Sequence, residues 1–173
     1  TLGHLVVLLS LKPIRVYRIP LESVRFIVAT PHIRIIAKRK TEVMRKALPE
    51  SINLETHVQH TARLASLLIG FMSKDREMVR IGFGKSFVDE ARSKFVPCYY
   101  ELREALESRG YSISISGAGP SVVSMCTDYR ECLEIATIME KTYNNVCGID
   151  ATIRIAEPAP GAIELVKYYD RRG

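Results

Sequence analysis

The chain has 173 residues, 47% of them apolar and 25% charged, with a net charge of +6 and four cysteines. That length holds one domain, or one domain with an appendage, and the composition is that of an ordinary globular protein. No apolar run is long enough to span a bilayer, and no signal peptide, low-complexity tract or internal repeat is evident.

The basic residues are scattered, apart from a cluster at Lys38, Arg39 and Lys40. Few aromatics interleave with them, so a nucleic-acid face is not expected. A solvated basic loop is the plainer reading, and acidic small molecules come next. Cys98, Cys126, Cys132 and Cys147 are not at metal-ligand spacing, and no CxxC occurs. Each falls on an apolar face, where a free cysteine behaves as a small hydrophobe. The expectation is free thiols in a reducing, cytoplasmic setting.

In chain order, Leu5 to Leu9 is a continuous apolar run and reads as a buried strand. Lys12-Pro13 turns the chain into a half-buried strand carrying Ile14, Val16 and Ile19. Val24 to Ala29 is a third strand. Thr41 to Ala47 is a short helix stopped by Pro49. Asn53 is a good N-cap for a longer helix, whose apolar stripe is Leu54, Val58, Ala62, Ala65, Leu68 and Met72. His57 and His60 lie off that stripe and read as surface residues. Asp75 caps a helix from Arg76 to Gly82.

Gly84-Lys85-Ser86 looks like the end of a phosphate loop. It fails the test, because Val79 stands where the first glycine is required and no strand precedes it. Pro97 suits the first turn of a helix ending at Gly110, with Tyr99, Leu102 and Leu106 inward and Glu101, Glu104 and Glu107 outward. Asp128 and Glu131 are spaced as a capping box for a helix reaching about Asn144. Its buried side is Cys132, Ile135, Ala136, Met139 and Tyr143. Ile149 to Ile155 alternates as a strand. Glu157 to Gly161 is a turn, Ala162 to Val166 a last strand, and Tyr168 to Gly173 a basic tail.

The centre of the chain is Ser112 to Cys126. Ile113 and Ile115 alternate with serines, a strand pattern. Gly117 to Ser121 breaks it, and Val122 to Cys126 resumes it. Two strands joined by a glycine-rich loop is the simplest reading. Such a loop can hold an anion in a nest of backbone N–H groups, or be an ordinary hairpin turn. It is not the dinucleotide fingerprint, since no third glycine follows and no helix opens there. From Val24 onward the order is strand, helices, strand, strand, helix, strand. That is a ferredoxin-like α+β plan: a two-layer sandwich with a mostly antiparallel sheet.

Three stretches resemble the C-terminal half of the homoserine kinases, a branch of the GHMP small-molecule kinases. Ser114-Ile115-Ser116-Gly117-Ala118-Gly119-Pro120-Ser121 is similar to the third motif of that superfamily. Thr41, Arg45, Leu48 and Pro49 match the homoserine kinase pattern T-x-x-x-R-x-x-L-P. Arg92, before Phe95-Val96-Pro97, resembles the arginine of that branch's E-P-x-R segment. Glu90 follows Asp89 where the family usually has proline, and Met44 stands where alanine is common.

The resemblance implies residues 1–20 as strands from a domain junction and residues 21–173 as the substrate-side domain. It implies L-homoserine as substrate, with ATP and Mg²⁺ used by the intact enzyme in threonine biosynthesis. Arg45 and Arg92 are then the substrate-binding arginines, since planar guanidinium forks suit a carboxylate. Thr41 contacts substrate or caps its helix. Gly117 and Gly119 let the loop approach substrate. No residue is a convincing general base or metal ligand, and the ATP-binding phosphate loop is expected in a separate N-terminal domain. The chain alone is therefore expected to be inactive, and the intact enzyme a possible homodimer. The alternatives are a mevalonate- or shikimate-like GHMP kinase, or a non-catalytic ferredoxin-like ligand-binding module.

Overall fold

A computed structural model describes residues 2–22, 24–33 and 40–162. The expected last strand from residue 163 onward, the basic tail, and Lys38 and Arg39 lie outside the described residues. Among the described residues, the contact pattern separates those up to Glu22, with those from Pro158 onward, from a larger unit that runs from Val24 to Glu157.

In the smaller unit β1 (Leu5–Leu11) pairs antiparallel with β2 (Ile14–Ile19). The His4 amide donates to the Ala159 carbonyl at 2.8 Å. The strand is where its apolar run places it, but it is not buried. Leu8, Leu9 and Leu11 are 54%, 64% and 73% exposed, and Ile14 is 75% exposed. A two-stranded ribbon has two faces and too little of its own to cover both. Ile19 and Leu21 are its buried apolar residues among those described.

The larger unit is built on β3 (Arg25–Pro31), β4 (Ile113–Ile115), β5 (Val122–Cys126) and β6 (Ala151–Ala156). The sheet order is β4-β5-β3-β6, and every neighbouring pair is antiparallel. This is the ferredoxin-like arrangement, with β3 and β5 at the centre. Ile27, Ala29, Ile113, Ile115, Val122 and Cys126 bury their side chains in one core. Against it pack α5 (Tyr99–Glu107) and α6 (Tyr129–Lys141). Tyr99, Leu102, Leu106, Cys132, Ile135 and Met139 face inward as the 3.6-residue period requires.

The caps behave as their chemistry dictates. Asn53, Asp75 and Asp128 each accept from backbone amides of the following turn. At Asp128 the reciprocal bond of the box shifts by one residue: Glu131 accepts from the Thr127 amide, not from Asp128. The helix α6 ends in a π-helical turn, Thr142–Val146. Cys98 takes a left-handed conformation, so α5 starts at Tyr99 instead of at Pro97.

Three further differences from the sequence expectations concern the long helix after Asn53, a helix beyond it and the cysteines. The apolar stripe of α2 (Leu54–Ser73) faces outward: Leu54, Val58 and Met72 are 76%, 57% and 65% exposed. The helix instead meets α3 (Arg76–Gly82) through glycine. A Cβ on Gly70 would lie 2.6 Å from the Val79 nitrogen, and one on Gly82 would lie 2.5 Å from the Leu67 nitrogen. The backbones approach too closely for an apolar side chain there. Second, a helix that the sequence reading passed over, α4 (Phe87–Ser93), follows the Gly84-Lys85-Ser86 stretch, with Ser86 as its N-cap. Third, the cysteines are not free. Cys98 is bonded to Cys147 and Cys126 to Cys132. Residues far apart or unpatterned in sequence are brought to Cα separations of 6.0 and 5.3 Å by the fold, within disulfide reach. No helix among the described residues is long and apolar enough to cross a membrane.

Candidate functional site

The glycine loop joins β4 to β5. The Ser116 amide donates to the Ser121 carbonyl and the Gly119 amide to the Ser116 carbonyl, both at 2.9 Å. Gly117 and Gly119 have φ of 59° and 63°, the left-handed region that a side chain disfavours. Nothing lies within 4 Å of where a Gly117 Cβ would be, so its outer side is open. Gly119 differs: a Cβ there would meet Val96 Cγ2 at 3.1 Å, Ile115 Cγ2 at 3.3 Å and Met44 Cε at 3.6 Å. The loop rests on those three side chains, all of them buried. Thr30 and Ser121 share a hydroxyl hydrogen bond of 2.9 Å at the far end.

Arg92 stands over this seat. Its Nε donates to the Met44 carbonyl at 3.0 Å and its Nη1 to the Gly117 carbonyl at 3.2 Å. It thereby bridges α1 (Lys40–Lys46) and the glycine loop. Arg45 is the next residue after Met44. Its side chain is exposed and makes no hydrogen bond or ion pair with the described residues. Thr41 is exposed one helical turn before it, and its hydroxyl bonds to none of the described residues. Thr41 therefore makes no side-chain cap with the described residues. All five residues singled out in the sequence thus belong to α1, α4 or the loop between β4 and β5.

Sequence reasoning missed Asp89. It is 4% exposed and sits one turn before Arg92 on α4. Its carboxylate accepts from the Ile115 amide at 3.0 Å and from the Ser114 hydroxyl at 2.9 Å. Strand β4 is an edge of the sheet, and Asp89 closes the backbone there. Burial first, and then the charge of Asp89, push the Tyr99 phenol well above its ordinary value. The available signal was Ser86, a good N-cap followed three residues on by an acid.

His60 is also not the surface residue it was expected to be. It is half-buried, its ring edge-on to Phe87 at 4.9 Å. It lines a cavity of about 240 Å³ with Arg63, Gly84, Ser86, Asp89 and Ser114. A second cleft of about 410 Å³ shares His60 and Arg63 and adds Lys85, Glu90, Arg103 and Glu107. Its charges are largely matched internally. Lys85 pairs with Glu107 at 3.4 Å, and Arg103 pairs with Glu107 at 3.6 Å and also with Glu90. The Glu90 hydrogen bond holds Arg103 in its charged form.

Ligand atoms of Cys98, Glu101 and Cys147 converge within 4.8 Å of one another. With the two sulfurs joined, neither offers the thiolate that a metal needs. The Gly84-Lys85-Ser86 stretch does not form a phosphate loop either: it follows a helix, α3, and not a strand.

No protein-family model matches the chain. Among curated proteins, homoserine kinase of Pyrobaculum neutrophilum is 33% identical over 164 residues, covering 94% of this chain and 54% of that protein. Homoserine kinase of Pyrobaculum aerophilum is 35% identical over 163 residues, again covering 94% and 54%. The chain spans about half the length of the curated relatives it matches. Among solved structures, homoserine kinase from Cytophaga hutchinsonii superposes with a TM-score of 0.81 at 23% identity, covering 90% of this chain and 49% of that one. Lactococcus lactis galactokinase complexed with galactose superposes with a TM-score of 0.57 at 13% identity, covering 88% and 50%. At those identities the structures speak for the fold.

Proposed function

We propose a function from one premise: this chain belongs to the GHMP kinase family. On that premise it is the substrate-side part of an ATP-dependent homoserine kinase. The intact enzyme phosphorylates the hydroxyl of L-homoserine on the way to threonine. What carries the reading is the sequence relationship to homoserine kinases along 94% of the chain. The relationship implies nucleotide use; ATP and Mg²⁺ are the specific proposal.

The site chemistry agrees with it. Homoserine carries a carboxylate, and Arg45 is an exposed guanidinium with no partner among the described residues. A free planar fork of this kind binds a carboxylate by paired charge-assisted hydrogen bonds. The open outer side of Gly117 lets substrate approach the loop backbone. Phosphoryl transfer is mainly positioning and charge neutralisation, so the loop need not supply a base. The described residues supply no phosphate loop, and the nucleotide is assigned to an N-terminal domain outside this chain. The exposed hairpin β1–β2 is the segment proposed to meet that domain. The intact enzyme is proposed to be cytoplasmic and dimeric. Disulfides do not exclude the cytoplasm, since intracellular proteins of hyperthermophiles carry them.

The test is calorimetric titration of L-homoserine into this chain and into its Arg45→Ala variant. Losing one charge-assisted pair costs about 1.5–3 kcal/mol, so affinity should fall about 10- to 150-fold. Equal affinity in both proteins, or no binding to the native chain, overturns the substrate assignment.

A further inference from the structure

Three side chains with metal-binding chemistry meet where α5 begins. Cys98 is the N-cap of that helix, Glu101 lies in its first turn, and Cys147 follows the π-helical turn after α6. The two sulfurs and a Glu101 carboxylate oxygen lie within 4.8 Å of one another. Glu101 is exposed and makes no hydrogen bond or ion pair with the described residues. Cys147 is half-buried, so an ion reaches the group from the solvent side. No side chain caps the first amides of α5, which has nine residues. Those amides, with the helix dipole, favour negative charge on the Cys98 sulfur.

We propose that Cys98, Cys147 and Glu101 form a zinc(II) site when the disulfide between the two cysteines is reduced. The structure is the oxidised form, in which the S–S bond occupies both sulfurs. A dithiol reductant opens it by exchange: its thiolate attacks one sulfur and the other leaves. The reductant's second thiol then attacks the mixed disulfide and frees the first sulfur. The reductant departs as a disulfide, having passed two electrons and two protons to the protein. Zinc displaces both thiol protons on binding, since the thiolate is the ligand. Two thiolates at about 2.3 Å from a tetrahedral zinc stand about 3.8 Å apart. With the Cα atoms 6.0 Å apart, rotation of the two side chains supplies that spacing. The Glu101 carboxylate is the third ligand and a water molecule the fourth. Two soft sulfurs select zinc over magnesium or calcium, which take oxygen ligands. The ion then joins the same two segments that the disulfide joins, the start of α5 and the turn after α6. The crosslink therefore persists in reducing surroundings. Its ligands are 49 residues apart in sequence, which hides them from any search for a short metal-binding spacing.

The experiment uses this chain and three variants, Cys147→Ser, Cys132→Ser and Glu101→Gln. Each is reduced with a dithiol, which is then removed under anaerobic conditions. Cobalt(II) is titrated in as a visible probe, and zinc(II) is added to compete with it. The reduced native chain should bind one cobalt, with a near-ultraviolet thiolate charge-transfer band and the visible bands of a tetrahedral ion. An equivalent of zinc should bleach both, and the unreduced chain should show neither. Losing an outer-shell partner already weakens metal sites about 10- to 100-fold. Loss of a direct ligand should cost more, so Glu101→Gln should weaken cobalt binding at least about tenfold and Cys147→Ser at least about 100-fold. Cys132→Ser should bind as the native chain does. All four proteins are compared reduced, so each variant differs from the native chain by a single group. Absence of the charge-transfer band in the reduced native chain overturns the proposal, and so does native affinity in Glu101→Gln or Cys147→Ser. Equal losses in Cys132→Ser and Cys147→Ser assign the metal to unstructured thiols and overturn it as well. Circular dichroism follows the fold throughout. If reduction abolishes the far-ultraviolet signal and zinc does not restore it, the reduced site does not exist and the proposal falls.

Discussion

Replacing Asp89 by alanine should destabilise the larger unit by about 2–4 kcal/mol. The carboxylate is 4% exposed and takes the Ile115 amide at 3.0 Å and the Ser114 hydroxyl at 2.9 Å. Without it the Ile115 N–H is buried with no acceptor. A hydrogen bond to a charged group contributes about 1.5–3 kcal/mol, and an orphaned buried donor costs about 1–3 kcal/mol. These figures describe overlapping effects at one bond pair, so they do not add in full. Asp89→Asn keeps an oxygen for Ile115 and gives Ser114 a donor in place of an acceptor, to which the hydroxyl can turn. Its cost should be about half that of Asp89→Ala. The assay is urea unfolding followed by circular dichroism, read as a change in midpoint at constant slope. An Asp89→Ala protein within about 0.5 kcal/mol of the native chain, the range of ordinary surface substitutions, would refute the reasoning.

Three other outcomes follow. The Tyr143 hydroxyl is buried without a hydrogen-bond partner among the described residues, so Tyr143→Phe should stabilise the chain by about 1 kcal/mol. Burial also pushes the Tyr143 phenol from 10.0 up to about 12. The folded state therefore holds its proton more tightly, and stability present below pH 10 is lost as pH rises towards 12. The same variant should flatten that alkaline decline in a pH series of unfolding curves; an unchanged decline counts against the assignment. Both disulfides should protect all four cysteines from thiol reagents in unreduced protein, and four reactive thiols would contradict them. Cys98–Cys147 closes 49 residues and should contribute about 4 kcal/mol, against about 2 kcal/mol for Cys126–Cys132 with its separation of 6. Cys147→Ser and Cys132→Ser, compared by denaturant midpoint, test the order. Finally, the exposed Leu8, Leu9, Leu11 and Ile14 should make this chain self-associate, and Leu9→Lys with Leu11→Lys should reduce it. Concentration-independent sedimentation of the unaltered chain as a monomer would refute that.

Where a sequence signal is the cause of the structure, it was legible. The alternation at Ile113 and Ile115 buries one face of β4 because successive side chains point opposite ways. The caps at Asn53, Asp75 and Asp128 form because a short polar side chain answers unpaired amides wherever a helix starts. The long helix α2 was misread because its periodicity says only which residues are alike. Which face is covered depends on what packs against it, and that contact runs through Gly70 and Gly82. Leu54, Val58 and Met72 of the stripe remain exposed in consequence. Disulfide pairing was illegible for a related reason. Cysteines 49 residues apart meet only because α5 and the turn after α6 are neighbours in the folded sandwich.

The site shows the same division at a finer scale. Thr41, Arg45, Gly117 and Gly119 were singled out because they stand in stretches that resemble homoserine kinase motifs. What ties α4 to α1, the loop and β4 is carried by backbone groups, which no sequence pattern marks. Arg92 reaches the carbonyls of Met44 and Gly117, and a carbonyl is the same at any residue. Asp89 reaches the Ile115 amide in the same anonymous way. Both side chains project from α4, a helix of seven residues, too short to display an amphipathic period. A short helix with three charged side chains reads as a solvated surface. Here Asp89 closes an edge strand, and Arg92 one turn later spans a loop and a helix. Asp89 and Arg92 bond to groups distant in sequence and not to each other, so this arrangement emerges only when the chain is folded.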